Sequence, residues 1–265
     1  MSCEPASKSL KGHTEGQVDG QAVGDRPYPK TIVAAACYNE HVKIDQLLNR
    51  FPLQRPYDIL LVDDGSTDDT VARIRNYSHI KLISHETNRG VGVALRTINQ
   101  FALKNGYDLV VHMAGNNKDD PLLIPSLLKP IIEDRVDFVQ GSRYIGGGGH
   151  GNMPRYRLVA TRFIHPWLFS LITKTTVTDS TSGFRAFRTR LLRDPRIDLE
   201  QDWLNQYELE PYFLYKVITL GYRFREVPVI RIYPPKQLGY TKMKAVVGWW
   251  SILRPLIFLG LGLKK

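Results

Sequence analysis

The sequence predicts an α/β fold built on a sheet of buried strands with helices on its faces. Two observations carry this. Short apolar runs of strand length alternate with segments whose apolar residues recur at helical spacing, and each apolar run stops abruptly in a polar cluster.

Residues 31–38 (TIVAAACY) form the first such run, apolar enough to be buried on both faces. The polar break Asn39-Glu40 leads into a helix with Ile44, Leu47, Leu48 and Phe51 on one side. Residues 58–62 (DILLV) are the next strand, ending in Asp63-Asp64-Gly65-Ser66-Thr67-Asp68. A helix from about residue 70, a strand at 80–84, a helix at 91–105 and a strand at 109–113 continue the alternation. In open α/β sheets ligands sit beyond the carboxyl ends of the strands. Asn39-Glu40, Asp63-Asp64 and Ala114-Gly115-Asn116 all fall there, so this rim is the expected nucleotide site.

The second half differs. A strand at 138–140 runs into Gly141-Ser142-Arg143 and a glycine tract at 146–149, expected to move. A helix carrying Leu158, Phe163, Trp167 and Leu171 follows, then Asp179-Ser180-Thr181-Ser182-Gly183-Phe184-Arg185. A helix at 208–220 stops at Gly221, a good left-handed cap. One strand, 226–232, closes this part.

The chain of 265 residues has room for one large domain, and the expected division is a disordered tail (1–28), the main domain (29–240) and an apolar C-terminal helix (241–265). Lys and Arg total 36 against 26 Asp and Glu, a formal charge of +10 that favours phosphorylated small molecules, anionic lipid or nucleic acid. No basic tract interleaved with aromatics is present, so nucleic acid is not an expected partner. Cys3 and Cys37 offer neither a disulfide framework nor metal-ligand spacing, which suits a reducing compartment. The first 25 residues have no apolar stretch of signal-peptide type.

Six motifs stand in order: Tyr38-Asn39-Glu40, Val62-Asp63-Asp64-Gly65-Ser66, Asn88-Arg89-Gly90, Gly141-Ser142-Arg143-Tyr144, Ser182-Gly183-Phe184-Arg185 and Glu226-Val227-Pro228-Val229. From residue 31 to 233 the chain resembles glycosyltransferase family 2, and within it the polyprenol-phosphate (dolichol-phosphate) mannosyl- and glucosyltransferases. The resemblance implies a GT-A fold with a Rossmann-like nucleotide-binding half, a mixed sheet and a C-terminal amphipathic or interfacial helix. It implies transfer of a hexose from a UDP- or GDP-linked donor to a polyprenyl phosphate, at the cytoplasmic side of a membrane and in peripheral contact with it. Two alternatives stand beside it: a family 2 transferase acting on a glycan or small-molecule hydroxyl, and a non-catalytic nucleotide-sugar-binding subunit.

The donor-binding residues implied are Ala36, Tyr38, Glu40, Asp64, Ala114, Gly115, Asn116, Arg143, Arg231 and Lys236. Tyr38 offers a ring to the base, Asp64 an acceptor for a base N–H, Glu40 a hold on ribose, and the arginines compensation for the diphosphate. Arg143, Asp179, Arg185 and Glu210 form the implied catalytic set, Asp179 as a base and Glu210 chosen over its neighbour Glu208. Structural roles compete: Asp63-Asp64-Gly65-Ser66 also suits a turn with a helix cap, and an acidic residue at a helix start is favoured by the dipole. The family's metal-holding Asp-x-Asp is replaced by Ala114-Gly115-Asn116, which makes Mg²⁺ or Mn²⁺ dependence doubtful. A weak site at Asn116 with Asp119 or Asp120, Asp119 being preferred, metal replacement by Lys118, and lost activity are the alternatives. In the tail, Trp249 and Trp250 with Lys236, Lys242 and Lys244 upstream favour a helix lying in a membrane interface. Arg254 argues against a span, and a helix packed on the core is the competing expectation.

Overall fold

A computed structural model describes residues 28–233 and 245–264. The expected tail, with Cys3, lies outside the described residues, as do Lys236, Lys242 and Lys244.

The first half follows the alternation: β1 (Thr31–Cys37), α1 (His41–Leu48), β2 (Tyr57–Asp63), α2 (Thr70–Arg75), β3 (Ile80–Ser84), α3 (Val91–Lys104) and β4 (Leu109–Ala114). β1 is buried throughout apart from half-buried Ala36, which is why it reads as a continuous apolar run rather than an alternating one. Its residues feed two cores. Ile32 and Ala34 pack with Leu95 and Ile98 of α3, whereas Val33 and Ala35 pack with Ile44 and Leu47 of α1.

The second half contains α4 (Ile124–Glu133), β5 (Phe138–Ser142), β6 (Gly149–Gly151), α5 (Arg155–Val159), α6 (His165–Thr173), β7 (Arg185–Arg188), α7 (Leu209–Thr219), β8 (Phe224–Pro228), β9 (Ile230–Ile232) and α8 (Ala245–Gly260). A π-helical turn, Ala160–Ile164, joins α5 to α6. The main sheet has the order β3-β2-β1-β4-β7-β5-β8, with β6 and β9 forming a separate parallel pair. β7 runs antiparallel to both β4 and β5, so the sheet is mixed.

Three expectations change here. The Ser-Gly-Phe-Arg segment opens a central strand that four residues of no marked alternation did not announce. The last residue of the glycine tract enters β6, where Gly149 pairs with Ile230, and the rest forms the turn before it. The single strand expected at 226–232 is two, because the chain leaves the main sheet at Val229 and joins the small one. Val229 N–H donates to Ser142 at 3.0 Å and its carbonyl accepts from Gly149 N–H at 3.0 Å, which pins that crossing.

α8 packs on the core with one face and leaves apolar residues of another exposed. Leu256 and Leu259 enter the same core cluster as α3 and α7, while Trp250 and Ile257 are exposed. Arg254 reaches Glu208 at 2.7 Å, so its charge is met by the protein. Among the described residues no helix is long and apolar enough to cross a membrane.

Candidate active site

The strand order places β1 beside β4 while β2 and β3 lie on the other side of β1, so the chain direction switches between β1 and β4. Loops leaving the two strands diverge there and open a crevice. The cleft at this point has a volume of about 600 Å³. Ala36, Tyr38, Glu40, Asp64, Ala114, Gly115, Asn116, Lys118, Glu210 and Arg231 all line it, so eight expected first-half residues, with Lys118 as the alternative to a metal, and two expected second-half residues converge. Gly115 makes the junction close: its N–H donates to Ala36 O at 3.2 Å, and an added Cβ would lie 2.6 Å from that oxygen.

Asp64 is more tightly held than a rim acid. Its Oδ2 accepts from Gly90 N–H at 2.8 Å; its Oδ1 accepts from Arg89 N–H at 3.1 Å and meets His85 Nδ1 at 2.8 Å. The carboxylate thus shapes the Asn88-Arg89-Gly90 loop, and Oδ2, with one bond, retains acceptor capacity. His85 in turn reaches Thr97 on α3 at 3.0 Å. Asp63 accepts from Ser66 N–H at 3.0 Å and serves the turn. Glu40 is 4% exposed and paired with Lys43 at 2.6 Å.

The loop after β4 carries the departure from the family pattern. Asp119, named as a metal ligand, turns back into the protein: its Oδ2 accepts from Ala114 N–H at 2.8 Å, and its Oδ1 lies 3.1 Å from Arg231 Nε. Its carboxylate caps the end of β4 and anchors β9. Asp120 caps the following turn, accepting from Leu122 N–H at 3.0 Å, and pairs with Arg50 at 2.9 Å. Asn116 keeps a buried Oδ1 with no hydrogen-bond partner. Among the described residues no group of three or more His, Cys, Asp or Glu is placed to hold a metal ion. Lys118 is buried in the cleft wall with its Nζ 4.9 Å from the centre of the Tyr233 ring. Burial, then the charges of Arg231, Arg157 and Lys43, pull its ammonium down to about 7 against the opposing pull of Glu40.

Arg143 and Asp179, assigned to diphosphate and base, are tied to each other behind the cleft. Arg143 Nε and Nη2 donate to the two Asp179 oxygens at 2.6 and 2.7 Å, and Nη1 donates to Tyr233 OH at 3.2 Å. The two side chains are 1% and 0% exposed, so neither presents a free face to a ligand. Glu226 accepts from the backbone N–H of Thr178 and Asp179 at 2.8 and 2.9 Å and fixes this segment. Arg185 is likewise buried: Nη1 donates to Glu210 O at 3.0 Å, and Nη2 lies 3.4 Å from Glu210 Oε1. Glu210 itself does line the cleft, lying over Gly183, whereas Glu208 is buried against Arg254. His85, Arg157 and Tyr233 were missed in the sequence, and so was the part of α8 that walls the cleft through Gly248, Ser251 and Ile252. No motif marks any of them.

Comparison with known proteins agrees with this architecture. The family model "Glycosyl transferase family 2" matches residues 32–194. The undecaprenyl-phosphate mannosyltransferase of Micrococcus luteus is 30% identical over 229 residues, covering 83% of this chain and 90% of that protein. The polyprenol monophosphomannose synthase of Mycolicibacterium smegmatis is 27% identical over 241 residues, covering 89% of each. Among solved structures, glucosyl-3-phosphoglycerate synthase from Mycobacterium tuberculosis, in complex with Mn²⁺, UDP and glucosyl-3-phosphoglycerate, superimposes with a TM-score of 0.65 at 19% identity. That match covers 95% of this chain and 86% of the other. The family match over most of the fold, the strand order and the cleft at the β1–β4 switch lead to one conclusion: this chain is a GT-A-fold glycosyltransferase belonging to glycosyl transferase family 2.

Proposed function

We propose that the protein transfers a hexose from a UDP- or GDP-linked donor to a polyprenyl phosphate at the cytoplasmic surface of a membrane. Tyr38, Glu40 and Asp64 take the nucleoside, the β4 loop with Asn116 and Lys118 takes the diphosphate, and the acceptor enters past Glu210 and α8. The observation that carries this reading is the double role of α8. Gly248, Ser251 and Ile252 wall the cleft, while Trp250 and Ile257 of the same helix are exposed. α6 packs on α8, and Phe163, Trp167 and Leu171 in and beside it are at least half exposed too. Exposed large apolar groups on adjoining helices suit contact with lipid, and a helix that both wets the cleft and meets lipid suits a lipid acceptor.

Names of relatives support the acceptor class: the Micrococcus luteus protein is called an undecaprenyl-phosphate mannosyltransferase. A phosphate acceptor is already ionised at neutral pH and needs no base. Arg185 and Arg143, the buried partners of Glu210 and Asp179, then hold the acceptor side of the cleft in shape. A second reading, a hydroxyl acceptor, is favoured by one observation: the Glu210 carboxylate lies in the cleft, where a general base would stand.

The test is transfer of label from GDP- and UDP-linked hexoses to undecaprenyl phosphate in detergent micelles, read as lipid-extractable label. Extractable product from one donor is the expected result. Donor turnover only with water-soluble hydroxyl acceptors would sink the lipid reading. Changing Trp167 and Trp250 together to Ser is expected to weaken binding to anionic vesicles by about tenfold or more, through lost apolar insertion.

A further inference from the structure

We propose that a cation cluster, Lys118 and Arg157 clamped on Tyr233 with Arg231 beside them, takes the donor diphosphate in place of the divalent cation that GT-A relatives carry there. This rests on the donor reading above.

The oxygen set argues first. A hard divalent cation takes six or more oxygen ligands, anionic ones by preference. Ala114 and Gly115 supply no side-chain oxygen. Both Asp119 oxygens are committed, one to Ala114 N–H and one to Arg231, in a side chain 1% exposed. Asp120 is spent on the Leu122 N–H and Arg50. Asn116 Oδ1 is left, a single neutral amide oxygen, and the site does not fit a resident metal.

The cations argue second. Tyr233 is 1% exposed and holds a cation on its ring twice: Lys118 Nζ is 4.9 Å and the Arg157 guanidinium 5.5 Å from the ring centre. The tyrosine hydroxyl is fixed by Arg143 at 3.2 Å, so the ring cannot turn away. The small β6–β9 sheet explains the placement. β9 carries Arg231 and runs into Tyr233, and β6 runs on to α5, which carries Arg157. Ile232 N–H donates to Lys118 O at 3.1 Å and Tyr233 N–H to Gly151 O at 3.0 Å, which stitches the Lys118 loop to that sheet. Lys118, Arg157 and Arg231 all line the cleft.

The charge count closes the argument. Lys43, Lys118, Arg157 and Arg231 stand near two carboxylates, Glu40 and Asp119; this set carries one positive charge in excess with Lys118 neutral and two with Lys118 protonated, the form that an incoming diphosphate favours. A nucleoside-diphosphate sugar brings two negative charges. In the transfer, the bond from the anomeric carbon to the diphosphate oxygen breaks and its electron pair stays on that oxygen. An electron pair of the acceptor oxygen forms the new bond to carbon. The diphosphate thereby gains a third negative charge, and preorganised cations stabilise it as it develops.

The full chain, titrated by calorimetry with UDP, GDP, uridine and guanosine, first in EDTA and then in Mn²⁺, tests this. In EDTA the preferred nucleoside diphosphate is expected to bind at least about tenfold tighter than its nucleoside, and Mn²⁺ to change that less than about threefold. Lys118→Met should lose most of the diphosphate increment and leave nucleoside affinity unchanged. Arg157→Gln, half-buried and less exposed to folding defects, should do the same in smaller measure. A diphosphate increment that appears only when Mn²⁺ is added would overturn the proposal and leave the donor reading intact. An increment unaltered in both folded variants would overturn it as well. No binding of either nucleoside diphosphate in EDTA or Mn²⁺ would remove the donor reading and this inference together.

Discussion

The two halves of the molecule hold their acids in different ways. In the first half, the two acids at the end of β2 bind backbone N–H groups nearby in space: Asp63 takes Ser66, and Asp64 takes Arg89 and Gly90. In the second half, three carboxylates about the cleft are matched to arginines across elements: Asp179 to Arg143, Glu210 to Arg185 and Glu208 to Arg254. The first arrangement shapes loops around a ligand. The second sets buried charges into a frame, and a buried pair is costly to break because the survivor is stranded without solvent.

That contrast is most easily broken at Arg143. Arg143→Met is expected to cost about 3–5 kcal/mol of folding stability, measured by denaturant unfolding, because Asp179 is left charged and fully buried. The double variant with Asp179→Leu should recover a large part, and additive losses would show that the pair is not the unit.

Protonation tests the second half and its seam next. His165 is held by Ser180 Oγ at 2.7 Å. His112, at the seam between halves, donates to Asn99 Oδ1 at 2.9 Å. Burial, aided by the charge of Arg185, pulls His112 down to about 3, and burial pulls His165 down to about 4. Both are neutral in the fold, whereas the unfolded chain takes up their protons below about 6.5. Stability therefore rises with pH through this window and is lost as pH falls from about 6.5 towards 4. The loss between pH 7.5 and 5.5 is expected to be about 2–3 kcal/mol for the pair, read from melts at each pH, and His112→Gln should flatten the slope.

Asp64 sharpens the comparison from the other side. Asp64→Ala frees the Arg89 and Gly90 amides and should cost about 2 kcal/mol, with nucleoside affinity falling about tenfold or more. A variant of unchanged stability would mean that the loop is held elsewhere. The smallest effect is expected at Glu210. With a lipid phosphate acceptor, Glu210→Gln should lower kcat less than about tenfold, since no base is required; a fall of about a hundredfold or more would restore the hydroxyl-acceptor mechanism.

Legibility in the sequence follows the same division. β1, β2 and β4 announce themselves because they are buried almost throughout and end in polar clusters, whereas β3 is a half-exposed edge strand; the cleft residues Tyr38, Glu40, Asp64 and Asn116 follow from the ends of the three buried strands. β7 is four residues long between antiparallel neighbours, with too little pattern to be seen. Arg143 and Asp179 carry the motif but not their mutual orientation, because an ion pair 36 residues apart is a tertiary fact. Lys118 stood among the alternatives for the altered metal segment; its partner ring, Tyr233, lies 115 positions away with no local signal. The apolar tail reads as either a membrane helix or a core helix; Leu256 and Leu259 lie in the core while Trp250 and Ile257 are exposed, so deleting it would damage the core rather than test membrane contact.

The position of β7 also bears on how the chain is made. β5 has only β7 and β8 as partners, and both are synthesised after it. A ribosome that has released residues 28–114 has delivered four strands that pair among themselves, and these can settle at once. β4 then offers a bare edge, and β5 hangs without a neighbour, until translation passes Arg188. Through that interval the nascent chain presents one edge of β4 and both edges of β5 unpaired, the kind of surface that chaperones cover and that aggregates recruit. Slowing of elongation before residue 188 should therefore lower the soluble yield more than the same slowing placed before residue 80.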